Sequence, residues 1–99
     1  MDNINLILSL IDWNNTLDQQ AAGIKMAENV KDIQTFIQPC TESYNKNVWD
    51  NCALIISKRS DAELLPYLDK LFAWLQDMNW PGALCILDRL QKYVKTPSF

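Results

Sequence analysis

Hydrophobic positions recur with a helical period along nearly the whole chain. Ile4, Ile7, Leu8 and Ile11 fall at i, i+3, i+4 and i+7, and Leu6 and Leu10 widen the face. Asp2 or Asn3 can cap this first helix, which ends near Asp12. Thr16 and Gln19 have capping-box spacing and open a second helix. Its apolar stripe is narrow: Leu17, Ala21, Ile24 and Ala27. Gly23 within it costs about 1 kcal/mol relative to alanine, which points to close helix–helix approach. Met26, Val30, Ile33, Phe36 and Ile37 continue the pattern toward Pro39, so the element bends or splits near Val30.

The stretch from Pro39 to Asn47 reads as a loop, and Asn47 as the cap of the next helix. Val48, Trp49, Cys52, Ile55 and Ile56 supply that helix's buried face. Lys58 and Arg59 stand at its C-terminal end, where the macrodipole favours cations. Ser60 and Glu63 repeat the capping-box spacing. Pro66 donates no backbone hydrogen bond, so the straight part of the following helix starts there and carries Leu68, Leu71, Phe72 and Leu75. A last helix runs from Pro81 to about Val94 with Ala83, Leu84, Leu87 and Leu90 inward, and KTPSF forms a frayed tail. The run ALII is β-like, but it lies between a cap and a cationic end and is therefore helical.

The pattern predicts one all-α domain over residues 1–99, with five to six helices packed as antiparallel hairpins. Two stretches about 65 residues apart echo each other: LSLIDWNNTLDQQAAGI and FAWLQDMNWPGALCI. Each is an apolar helix ending in Asp, then a turn with Asn and Trp, then a small residue and another apolar face. The echo fits a short alpha-solenoid-like stack of helix pairs.

Composition narrows the function classes. Two glycines cannot build a phosphate-cradling loop. The absence of histidine removes Ser-His, Cys-His and His-ligated metal chemistry. Cys40, Cys52 and Cys85 are an odd number without CxxC spacing, which argues against a disulfide framework and for a reducing cytoplasm. Cys52 and Cys85 lie in apolar runs and read as buried small hydrophobes. The net charge is −3. Residues 1–50 hold seven acids and three bases, and residues 51–99 hold five acids and six bases. An acidic chain without a basic cluster does not grip nucleic acid. The N-terminal apolar run has no basic region before it and is too short to span a bilayer. Carboxylate pairs such as Asp12 with Asp18, or Asp69 with Asp77, read as solvated faces. No catalytic, cofactor-binding or metal-binding residue stands out.

Four tryptophans are many for 99 residues. Trp49 and Trp74 occupy inward helical positions. Trp13 and Trp80 stand beside turns. Asp77 sits at a helix C-terminus, where its charge opposes the dipole, so a donor must compensate. The free backbone N–H groups of the next helix, or the Trp80 indole N–H, could serve. Alternatively Asp77, Asn79 and Trp80, with Asp12, Trp13 and Asp18, form an aromatic–acidic binding surface.

The residues WDNCA at Trp49–Ala53, KRSD at Lys58–Asp61, LLPYL at Leu64–Leu68 and WLQDMNWPGA at Trp74–Ala83 resemble the bacterial domain-of-unknown-function family 5071. The stretch from Ile11 to Ile24 is similar to the N-terminal part of longer members. The resemblance implies a small α-helical, HEAT-like domain in a bacterial cytoplasm and carries no established activity. Small orphan families of this kind often look like immunity proteins beside toxin genes. The expected function is therefore non-enzymatic protein binding. In its most concrete form this is an immunity protein or antitoxin that occludes a cognate toxin, such as a nuclease with a basic cleft. A general helical-repeat adaptor is the alternative. Neither needs a cofactor, and neither engages nucleic acid or a membrane.

Overall fold

A computed structural model describes residues 4–37 and 46–93 of the chain. The expected caps at Asp2 and Asn3, the loop with Cys40 and the KTPSF tail lie outside the described residues. Helix α1 (Ile4–Leu10) buries Ile7 and Leu8, and Ile11 follows them into the core. Helix α2 (Leu17–Ala27) starts at the expected box: the Thr16 hydroxyl accepts the Gln19 N–H, and the Gln19 side chain accepts the Thr16 N–H, both at 3.1 Å. It stops at Ala27, because Asp32 caps a separate 3-10 turn, Ile33–Phe36, by accepting the Gln34 N–H at 3.1 Å. The split near Val30 is therefore real, and the short turn still buries Ile33 and Phe36.

A second 3-10 turn, Lys46–Val48, leads into α3 (Trp49–Ser57). Val48 rather than Asn47 holds the cap position, without a side-chain bond. Helix α3 buries Trp49, Cys52, Ala53, Ile55 and Ile56; a large side chain of this kind contributes roughly 1.5–3 kcal/mol when fully buried. The Ser60–Glu63 box opens α4 (Asp61–Leu64), with paired bonds at 3.1 and 3.2 Å. Pro66 tightens the chain into a 3-10 turn, Leu65–Tyr67, before α5 (Leu68–Trp74). Helix α6 (Ala83–Gln91) starts two residues later than Pro81 suggests. No strand occurs among the described residues, so the fold is all-α.

Helices α1 and α2 form the expected hairpin, and Gly23 explains how closely they approach. A Cβ there would lie 2.7 Å from Ile11 Cγ2 and 2.9 Å from Leu10 Cβ. The middle of the molecule is α3, which packs against α6, α2 and the Ile33–Phe36 turn. Trp49 and Trp74 meet edge to face at 6.0 Å in the core formed there. Several expectations about faces fail, and Leu6 and Ala21 are among the exposed positions. Leu17 and Leu84 are exposed by 82% and 70%, and Phe72 by 57%. Leu17 is the first residue of α2, and Phe72 and Leu84 lie on helices that are covered on one side only. Cys52 is buried as expected, but Cys85 is only half-buried.

Candidate binding surface

The two echoing stretches build the same turn. Asp12 Oδ1 accepts the Asn14 N–H at 2.8 Å, while the Asn15 N–H reaches the Asp12 carbonyl at 3.0 Å. Asp77 Oδ1 accepts the Asn79 N–H at 2.9 Å, while the Trp80 N–H reaches the Asp77 carbonyl at 3.0 Å. Each aspartate thus closes a tight turn at a helix end with its own side chain. This corrects the expectation for Asp77. Its compensating donor is the local backbone at Asn79, neither the next helix nor the Trp80 indole.

Both turns dock on the opening residues of α3. In the first, the Trp13 N–H donates to the Asn47 carbonyl at 3.1 Å. Asn51 donates to the Ile11 carbonyl at 2.8 Å and to the Gln20 side chain at 2.9 Å. Gln20 in turn donates to the Asn15 carbonyl at 2.9 Å. Asn15 closes the end of α1 by donating to the carbonyls of Ser9 and Leu10, at 2.6 and 3.1 Å. In the second turn, the Trp80 ring meets Trp49 edge-on at 5.5 Å, and the Trp74 indole donates to the Pro81 carbonyl at 3.0 Å. Gly82 then takes a left-handed conformation, φ 87°, with the α3 backbone directly beneath it.

This is why the linking segment reads Trp-Pro-Gly. The tryptophan covers Trp49, the proline supplies a carbonyl to Trp74, and the glycine turns the chain where no Cβ fits.

The six sequence-predicted residues differ in what they present. Trp13 is 45% exposed, Asp12 is half-buried, and Asp77 and Asn79 are exposed. Asp18 is exposed on the first turn of α2, a favourable place for a carboxylate. Trp80 is half-buried and serves mainly as a lid on Trp49. Beside it, Asp50, Met78, Asn79 and Leu84 border an open depression of about 330 Å³. The periodicity did not single out Asn51 as a tie between the first turn and α3, although an asparagine on a strongly apolar helix was the available signal. Among the described residues, no three Cys, Asp or Glu side chains are grouped to hold a metal ion, and no helix is long and apolar enough to cross a membrane.

Residues 44–98 match the family model described as Domain of unknown function (DUF5071). No curated protein and no solved structure gives a match. The matched segment contains α3 to α6 and the second turn, while α1, α2 and the first turn lie before it. It covers more than half of the 99 residues, and the chain belongs to the DUF5071 family.

Proposed function

We propose that this protein is a non-enzymatic, bacterial cytoplasmic binding domain that neutralises a cognate toxin by occluding it. The observation that carries this reading is the pair of matching aspartate turns seated on one end of α3. They hold Asp12, Trp13, Asp77 and Asn79 on rigid supports, so little ordering entropy is lost when a partner binds. Exposed indole and carboxylate groups together suit a basic protein surface, such as the active-site cleft of a nuclease, where complementary charge raises the association rate.

The test is co-purification with the product of the adjacent gene, followed by charge removal. Replacing Asp12 and Asp18 together should weaken the complex more than replacing the exposed Asp69 and Asp88. Added salt should weaken it too, because exposed charges are screened beyond about 10 Å at 0.1 M. A complex indifferent to both would overturn the proposal in favour of a general adaptor.

A further inference from the structure

The depression beside the second turn has a chemistry of its own. Its volume is about 330 Å³, and its lining includes Asp50 of α3, Met78, Asn79 and Trp80 of the turn, and Leu84 of α6. Among the described lining residues, Asp50 carries the only charge. No ion pair engages that carboxylate among the described residues. The surrounding segments, residues 47–57 and 71–88, contain the acids Asp50, Asp77 and Asp88 and no Lys or Arg.

Helix geometry sets where Asp50 stands. Successive helical residues point about 100° apart. Trp49 faces the second turn through its ring contact with Trp80, and Asn51 faces the first through its bond to the Ile11 carbonyl. Asp50 lies between them and is exposed, with the partly exposed Leu54 one turn further along the same face. It is the carboxylate on the strip of α3 that the two turns flank.

The depression joins this charge to apolar walls. Met78 and Leu84 are 40% and 70% exposed, and Trp80 is held edge-on against Trp49. Asn79 adds a side-chain amide to the lining. A carboxylate and an amide among apolar walls, with no cation, complement a side chain that has an apolar stem and a cationic head. A guanidinium suits the site better than an ammonium. Its planar fork of donors can serve the Asp50 carboxylate and the Asn79 amide oxygen together, whereas an ammonium is a compact, strongly hydrated point charge.

We propose that this depression takes an arginine side chain of the protein partner, with the guanidinium on Asp50 and the stem between Met78 and Leu84. The proposal deepens the toxin-binding reading and rests on it for the source of the arginine.

The test needs no toxin. It uses the full chain labelled with 15N and three capped tripeptides: acetyl-Gly-Arg-Gly-amide and its lysine and glutamate counterparts. The titration runs at constant ionic strength between about 1 and 100 mM, the range of a single side chain in an open site. The arginine peptide should shift the amide resonances of Asp50 and of residues 78–85 in a saturable way. The lysine peptide should bind more weakly, and the glutamate peptide should not bind. Asp50→Asn should weaken the arginine peptide by about threefold, the size expected of an exposed charge pair. Leu84→Ala should weaken it too, and both variants should keep the parent's circular dichroism spectrum. Asp69→Asn, at an exposed acid outside the depression, should bind like the parent. The proposal is overturned if no saturable shift appears, if the lysine or glutamate peptide binds as well as the arginine peptide, or if Asp50→Asn binds like the parent. Such a result beside a co-purifying toxin would leave the toxin reading standing. Saturable arginine binding with no co-purifying toxin would count against that reading alone.

Discussion

Arg89 donates through Nη2 to the backbone carbonyl of Arg59 at 2.8 Å, and the Arg59 side chain donates onward to the carbonyls of Ala27 and Val30 at 2.7 and 2.6 Å. Arg89 also reaches the Ser57 carbonyl through Nε at 3.0 Å and the Asp61 carboxylate at 2.6 Å. Helix ends leave carbonyls without intrahelical partners, and their partial negative charge favours a cation. Two guanidinium groups supply that cation for α2 and α3 at once, and so tie α6 through Arg59 to the α1–α2 hairpin. Both side chains are largely shielded, at 10% and 13% exposure.

Arg59→Lys and Arg89→Lys should therefore be costly despite keeping the charge. A lysine cannot serve several diverging acceptors in one plane. A lost charged hydrogen bond to a shielded carbonyl costs about 1.5–3 kcal/mol. Removing the exposed Lys92–Asp88 pair should change stability by no more than about 0.5 kcal/mol. Urea denaturation midpoints measure the contrast. An Arg59→Lys variant as stable as the parent would show that the carbonyl clamp contributes little.

The sequence predicted both capping boxes, the interruption near Val30 and the close approach at Gly23, because these are local features with fixed spacing. Arg59 was placed correctly near the end of α3 on dipole grounds. Its actual acceptors are the last residue of α2 and Val30 just beyond it, about 30 positions earlier in the chain, and no period reports a contact at that separation. The aspartate turns were half legible. The repeated Asp-x-Asn was visible, but the acceptor role of each carboxylate depends on backbone geometry. The outward faces of Leu84 and Phe72 were not visible, since helical spacing gives a stripe's direction but not how far its neighbours cover it.

Gly82 should tolerate no side chain. Its φ of 87° disfavours any L-residue, and a Cβ would lie 2.8 Å from both the Trp49 carbonyl and Ala53 Cβ. The left-handed conformation alone costs about 1–2 kcal/mol, and the backbone contact adds to it. Gly82→Ala should lower the melting temperature sharply and disturb the Trp49–Trp80 contact, which near-ultraviolet circular dichroism would register. An unchanged aromatic signal would show that the chain can shift away from α3 at small cost.

Glu63 links stability to pH. The Ser60 backbone N–H, and after it the Arg59 guanidinium, hold its carboxyl below the ordinary value of 4.5. A depressed folded-state pKa contributes stability above the ordinary carboxylate range, and that contribution is lost as pH falls through the folded value. The side chain is 44% exposed, so the charged pair contributes only about 0.2–0.5 kcal/mol. Glu63→Gln keeps an oxygen that can accept the Ser60 N–H. It should be slightly less stable than the parent at pH 7 and equal to it in strong acid. A difference that persists at low pH would assign the effect to packing.

The thiols should separate by burial. Cys52 is fully buried, and burial pushes its thiol far above the ordinary range, so it should react with a thiol reagent only after denaturation. Cys85 is half-buried beside the second turn and should label slowly in the native state. Mass spectrometry of peptides after timed labelling distinguishes them. Native labelling of Cys52 at the rate of Cys85 would mean that α3 opens far more readily than its packing implies.

The last prediction separates the two roles of the turn aspartates. In Asp12→Asn and Asp77→Asn, the amide oxygen can still accept the N–H of Asn14 or Asn79, so each turn keeps its bond while losing its charge. These variants should melt close to the parent. Asp12→Ala and Asp77→Ala lose the bond and should be less stable by about 0.5–1 kcal/mol, a modest cost because both sites meet water. If a basic partner binds here, the asparagine variants should bind it more weakly and with less dependence on salt than the parent, at unchanged fold stability. If the asparagine variants melt as low as the alanine variants, charge rather than the turn bond supports the structure. The same residues could not then be altered for binding without altering the fold. Full binding by both asparagine variants, with the fold intact, would move the partner surface away from the turns altogether.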